Sequence, residues 1–292
     1  MTGVLSALLA ALGYGISDFV GGIASRRVAA LRVVVVSYPV ALLLLIVIAV
    51  PVGGQVSTPA VLWGLLSGVG QAFGVWWFYA ALGSGPISVV SPLTAILVAG
   101  IPVGVGLALG ERPGPVALVG VLLALAAVVL VSREAADEPL ARRESSTDDH
   151  DTPHKFTLKV AWLTVGSGVA FGLNFVVLHQ VPVEAELWPL VFGRLAAAAI
   201  VLVAAAATAN LVLERGVSLR LALLAGVLDT VANVATLVAL QSSMLSLAGV
   251  LIALYPAATV LLAIVVLRER VTRWQAIGMV LALASVGMIA AG

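Results

Sequence analysis

The sequence predicts an all-α membrane protein of ten transmembrane helices arranged as two inverted five-helix repeats. Three observations lead there. The 292 residues are 62% hydrophobic and 10% charged, with a mean hydropathy of +1.17, far too apolar to cover a water-facing domain. Ten stretches each supply about 20 mainly apolar residues, the length that spans a bilayer. Finally, residues 65–132 and 223–290 read as copies of one segment without a gap. Leu65, Leu66, Gly68 and Val69 recur as Leu223, Leu224, Gly226 and Val227. Ala81, Leu82, Ser84 and Ser88 recur as Ala239, Leu240, Ser242 and Ser246, Glu111 as Glu269 and Gly120 as Gly278. Five spans per half is an odd number, so the second half enters the membrane upside down relative to the first. Such inverted repeats place a substrate site at their interface near the bilayer midplane.

Taken in order, the spans run roughly 3–24, 30–50, 60–82, 86–109, 113–132, 159–181, 187–209, 218–241, 246–267 and 272–291. The first is apolar over Thr2–Val20 with no basic leader, and reads as a retained helix, not a cleaved signal. Short turn-forming links such as Pro51-Val52-Gly53-Gly54, Gly83-Ser84-Gly85-Pro86 and Arg112-Pro113-Gly114-Pro115 force antiparallel neighbours. The long break carries Arg142, Arg143, Glu144, Asp148, Asp149 and Asp151 and cannot bury a core. The expected domains are therefore a first repeat over 1–132, a charged linker over 133–158 and a second repeat over 159–292. The linker is a flexible connector, with a regulatory segment as the alternative. Gly70-x3-Gly74, Gly100-x3-Gly104, Gly106-x3-Gly110 and Gly168-x3-Gly172 have the spacing that lets membrane helices approach closely.

Of the 15 lysines and arginines, all except Arg112 and Arg194 fall in loops that follow odd-numbered spans or at their edges. The positive-inside rule makes those loops cytoplasmic and turns both termini outward.

An ionisable residue inside a span is a functional hypothesis by default. Asp18, Arg194 and Asp229 qualify, with the neutral polar residues Gln71, Asn174 and Asn233. The repeat offset places Asp229 opposite Gln71, and Asn233 lies one turn further along the same face as Asp229. Two symmetry-related polar groups at the midplane suit a central binding site; a polar lock between helices is the structural alternative. Counting about 1.5 Å per residue, Asp18 and Arg194 differ in depth by roughly 10 Å. Asp229 lies between them and is the better charge partner for Arg194. Proton coupling requires a carboxyl that titrates in the working range. If Asp229 is held by Arg194, Asp18 is the coupling candidate; the alternative is an Asp18 that snorkels toward Arg26 or Arg27.

Trp76, Trp77 and Tyr79, with Phe73 a turn earlier, form either a cation–π wall or an interfacial belt. Trp76 is carried as a substrate-binding candidate. Tyr14 and Phe171, beside Gly15 and Gly172, occupy equivalent places in spans 1 and 6 and are cavity candidates. Glu111 and Glu269 end spans 4 and 9, each expected to cap or salt-bridge a helix end in its own half. No nucleotide motif, nucleophile–base pair or metal-ligand spacing appears, and His150 and His154 lie in the linker. No enzyme activity, cofactor, metal or nucleic-acid partner is expected.

These features resemble the drug/metabolite transporter superfamily of EamA type. The shared marks are the two five-helix repeats, Gly110-Glu111-Arg112 and Arg268-Glu269-Arg270, and Ser91-Pro92-Leu93-Thr94. Tyr14-Gly15-Ile16-Ser17-Asp18-Phe19 and Leu187-Trp188-Pro189-Leu190 resemble its bacterial members. The resemblance implies an alternating-access carrier in the bacterial inner membrane, exporting small organic metabolites, with spans 1, 3, 4, 6, 8 and 9 around the cavity. Members are commonly drawn with both termini cytoplasmic; the arginines here argue the reverse. The expected partners are a small-molecule substrate, the lipid bilayer and protons as coupling ion, with a monomer or homodimer as the assembly. An uncoupled facilitator or exchanger, or a membrane structural protein without transport, are the alternatives.

Overall fold

The computed structural model describes residues 1–25, 27–84, 87–131, 157–255, 257–258, 262 and 273–291. The linker over 133–156, Arg26, Arg268, Glu269 and Arg270 lie outside the described residues. Ten α-helices appear among the described residues: α1 Thr2–Ser25, α2 Ala30–Val52, α3 Thr58–Ser84, α4 Ile87–Ala108 and α5 Pro115–Val131, then α6 Leu158–His179, α7 Trp188–Ala207, α8 Val217–Ser242, α9 Leu245–Ile252 and α10 Arg273–Ala291. Six of them are long and apolar enough to cross a membrane, and α4, α5 and α10 contain shorter apolar runs. No strand occurs among the described residues. A helix satisfies every backbone group within its own segment, which an apolar solvent demands.

Local chemistry sets the ends. Thr157 caps α6, its Oγ1 accepting from the Val160 N–H at 3.3 Å. Pro189 falls in the first turn of α7, where its missing N–H costs no helical bond. Gly216 precedes α8 at φ +66°, in the left-handed region that favours glycine. The ninth span departs from the single helix expected over 246–267. Helix α9 stops at Ile252, and Ala253 and Leu254 form a turn.

The packing runs chiefly between the first five helices and the last five. Helix α1 packs on α8, α3 on α6 and α7, α2 on α7 and α8, α4 on α6 and α9, and α5 on α10. Exchanging each helix for the one five places along the chain carries these contacts onto one another, with α4 on α6 answered by a lesser contact of α9 with α1. Glycines set the closest crossings. A Cβ on Gly68 would collide with the Gly193 carbonyl of α7, and one on Gly226 would lie 2.7 Å from the Ser37 carbonyl of α2. Gly168 and Gly172 give α6 its approach to Leu97 and Ile101 of α4. A Cβ on Gly100 or Gly104 would meet nothing within 4 Å among the described residues.

Links meet at the helix ends. Arg32 at the start of α2 pairs with Glu214, ahead of α8, at 2.8 Å. The Gln55 N–H, between α2 and α3, donates to the Glu184 carbonyl, between α6 and α7, at 2.7 Å. Glu111 binds across the halves: its carboxylate accepts from the Leu245 N–H at 2.5 Å and the Ser246 N–H at 3.0 Å. It therefore caps α9 and not a helix of its own half, as the sequence suggested. The reason is geometric: Gly106 has no Cβ, and any side chain there would occupy the space of the Glu111 carboxylate. Two first-turn N–H groups of α9 gain a charged acceptor at the positive end of the helix dipole. Glu111→Ala is expected to cost about 1–2 kcal/mol, read as a lower unfolding temperature in detergent; an unchanged temperature removes the cap from the stability account.

Candidate functional site

A cavity of about 110 Å³ opens at the centre of the bundle. Its wall draws Tyr14 and Asp18 from α1, Tyr38 from α2, Gln71, Val75 and Phe78 from α3 and Val98 from α4. Phe171, Asn174 and Phe175 come from α6, Asp229 and Asn233 from α8, and Ile252 and Tyr255 from α9 and the residues just beyond it. Helical spacing explains the grouping. Tyr14 and Asp18, Gln71 and Val75, Phe171 and Phe175, and Asp229 and Asn233 are each four residues apart and share a face.

The polar groups are tied together. Gln71 Nε2 donates to Asn233 Oδ1 at 3.0 Å, and Asn233 Nδ2 donates to the Asp229 carbonyl at 2.8 Å. This joins α3 to α8 across the halves. Ser67 Oγ donates to Asn174 Oδ1 at 2.6 Å, joining α3 to α6. Tyr14 hydroxyl lies 3.4 Å from Thr236 Oγ1. Such bonds satisfy amides that hydrocarbon would otherwise leave bare.

Arg194 Nη2 bonds Asp229 Oδ2 at 2.5 Å, and the guanidinium carbon lies 4.5 Å from the centre of the Tyr38 ring. The guanidinium is 2% exposed and sits behind the cavity wall, whereas Asp229 keeps 24% of its side chain open. The pairing inferred from depth is the one observed. Asp18 is open to the cavity and has no hydrogen bond or ion pair with any described residue.

The structure thus brings Tyr14, Asp18, Gln71, Asn174, Asp229 and Asn233 to one cavity, with Arg194 behind it. Trp76 does not join them. It is 40% exposed and borders a separate apolar hollow with Leu31, Val34 and Val201. Five residues from Gln71 is about 140° around a helix, which turns it outward. There Phe73 stacks on Trp76 at 6.4 Å and packs against Trp77 at 5.3 Å. Phe78 takes the inward place instead, edge-on to Phe171 at 6.3 Å. The Tyr79 side chain lies outside the described residues.

Sequence reasoning missed Tyr38 and Tyr255. The first had a readable signal, a polar aromatic in the body of a span and away from the interfacial level where tyrosine usually settles. The second had another, its place beside a proline inside an apolar run.

An EamA-like transporter family model matches residues 1–133 and 158–291. No curated protein matches the chain. One solved structure, described only as a crystal structure of a protein, has a TM-score of 0.76 at 18% identity, covering 98% of this chain and 95% of that one. At that identity the likeness shows the fold alone. The two family matches take in nearly every residue on either side of the linker, and with them the apolar spans and the cavity-lining side chains, so the chain belongs to the EamA-like transporter family, a family of membrane transporters and not of enzymes.

Proposed function

We propose that this protein is a secondary transporter that moves a small organic solute through the central cavity by alternating access, as an exporter in a bacterial inner membrane. The observation that carries the reading is the cavity itself. A membrane-spanning bundle has gathered Asp18, Gln71, Asn174, Asp229 and Asn233 around one central space walled by helices of both halves. Polar groups at that depth are costly and mark solute pathways. In this reading residues 1–132 and 159–292 are inverted repeats joined by the 133–158 linker. The support is the contact pattern, which maps onto itself when the halves are exchanged, together with the two family matches. Gln71, Asn174, Asn233 and Tyr14 bind substrate, Asp229 is held by Arg194, and Asp18 couples transport to protons.

A metabolite panel tests binding. A native-state ligand raises the unfolding temperature by mass action, and Gln71→Ala should abolish the rise while the protein stays folded. In proteoliposomes the wild-type chain should concentrate that ligand under a proton gradient and Asp18→Asn should not. Binding without movement across the bilayer defeats the transport reading. Continued accumulation by Asp18→Asn defeats the coupling role.

Orientation follows from the arginines. A tag inserted in the linker at Glu138–Asp149 should resist an impermeant label on intact cells, and tags at both termini should react. A labelled linker reverses the orientation.

A further inference from the structure

We infer that the cavity selects a small monovalent organic cation, an amine in its ammonium form or a quaternary ammonium carrying an apolar group. This deepens the transport reading above and rests on it. The inference comes from the charges on the wall. Two carboxylates line the cavity, Asp18 and Asp229. Asp229 is neutralised by Arg194. Asp18 faces the same space with no partner among the described residues. An intramembrane carboxyl that faces a cavity without a partner offers a place for a positive charge, which either a proton or an ammonium group can occupy.

The remaining wall suits the same ligand. Tyr14 lies one turn from Asp18 on α1, and Phe78, Phe171 and Phe175 complete an aromatic lining. Ring faces attract cations and accept apolar substituents equally well. Tyr38 is excluded from this count because its face already holds the Arg194 guanidinium at 4.5 Å.

Anions lack a partner here. Among the described residues Arg194 is the one cation at the cavity wall, and it is buried behind that wall and engaged by Asp229. A zwitterion meets the same obstacle at its carboxylate, because the guanidinium cannot leave Asp229 without exposing a second negative charge. A neutral solute gains no charge pairing from Asp18, whose carboxyl it would meet only in the protonated form.

Four probes of one shape separate the classes: phenethylammonium, 2-phenylethanol, phenylalanine and 3-phenylpropionate. Binding to the purified full chain is read by thermal shift and by titration calorimetry. Phenethylammonium should bind and the other three should not. Asp18→Asn, checked for an unchanged fold by its own unfolding curve, should weaken the cation by roughly ten- to a hundredfold, and Asp18→Glu should restore much of the loss. Binding of phenylalanine or 3-phenylpropionate in preference to phenethylammonium overturns the cation assignment and leaves the transport reading standing. Binding of phenethylammonium that is indifferent to Asp18→Asn also overturns it. Tight, Asp18-dependent binding with no counterflow of labelled phenethylammonium in proteoliposomes instead defeats the transport reading and keeps the assignment of the site.

Discussion

Arg194→Met is expected to destabilise the protein by about 3–5 kcal/mol. The substitution keeps an unbranched apolar stem but removes the charge that Asp229 Oδ2 meets at 2.5 Å. It leaves a carboxylate uncompensated beside Tyr38 and the cavity. Removing one partner of a buried pair costs far more than removing both, because the isolated charge remains desolvated. The double variant Arg194→Met with Asp229→Leu should therefore recover most of the loss. Unfolding midpoints of the wild type, both single variants and the double variant give the coupling. If the double variant loses the sum of the two single losses, the pair is not what holds this region.

Gly68→Leu is the second large effect, and its cause is steric. The added Cβ would fall on the Gly193 carbonyl. A main-chain oxygen cannot rotate aside as the tip of a side chain does, so α3 and α7 must separate along their whole crossing. A loss above about 3 kcal/mol is expected, seen as aggregation or early elution in detergent chromatography. Gly100→Ala is the control. Among the described residues nothing lies within 4 Å of a Cβ at Gly100, and alanine in a helix interior gains roughly 0.5–1 kcal/mol over glycine. A well-behaved Gly68→Leu protein would mean that the backbone contact between α3 and α7 is dispensable.

Much of this was legible from residues alone, for identifiable reasons. Helix number and position follow from apolar run length. The Arg194–Asp229 pair was readable because depth along a helix is a matter of counting residues. What escaped needs information that a single helix does not carry. Which neighbours the Phe78 and Trp76 faces of α3 meet is one such fact, although the outward turn of Trp76 follows from its spacing to Gln71 alone. The reach of Glu111 to α9 depends on two halves lying side by side, and on Gly106 leaving room between them. The interleaving of the halves is likewise invisible to periodicity, so a division of the sequence at the linker does not describe the packing. The end of α9 at Ile252 was hidden by the unbroken apolar run from which the ninth span was read.

The pairing of α5 with α10 has a consequence of a different kind. The two meet at Gly120, where a Cβ would touch Met288 and Ile289, and among the described residues neither helix contributes a side chain to the cavity. The protein therefore keeps two ledgers of sequence tolerance. Along α5 and α10 a substitution is judged on bulk and lipid compatibility, so drift between apolar residues of similar volume leaves selectivity untouched. Along the inward faces of α1, α3, α6 and α8 the same drift rewrites what the cavity recognises. A change of substrate can thus arise in a few positions while the rest of the bundle varies freely around them.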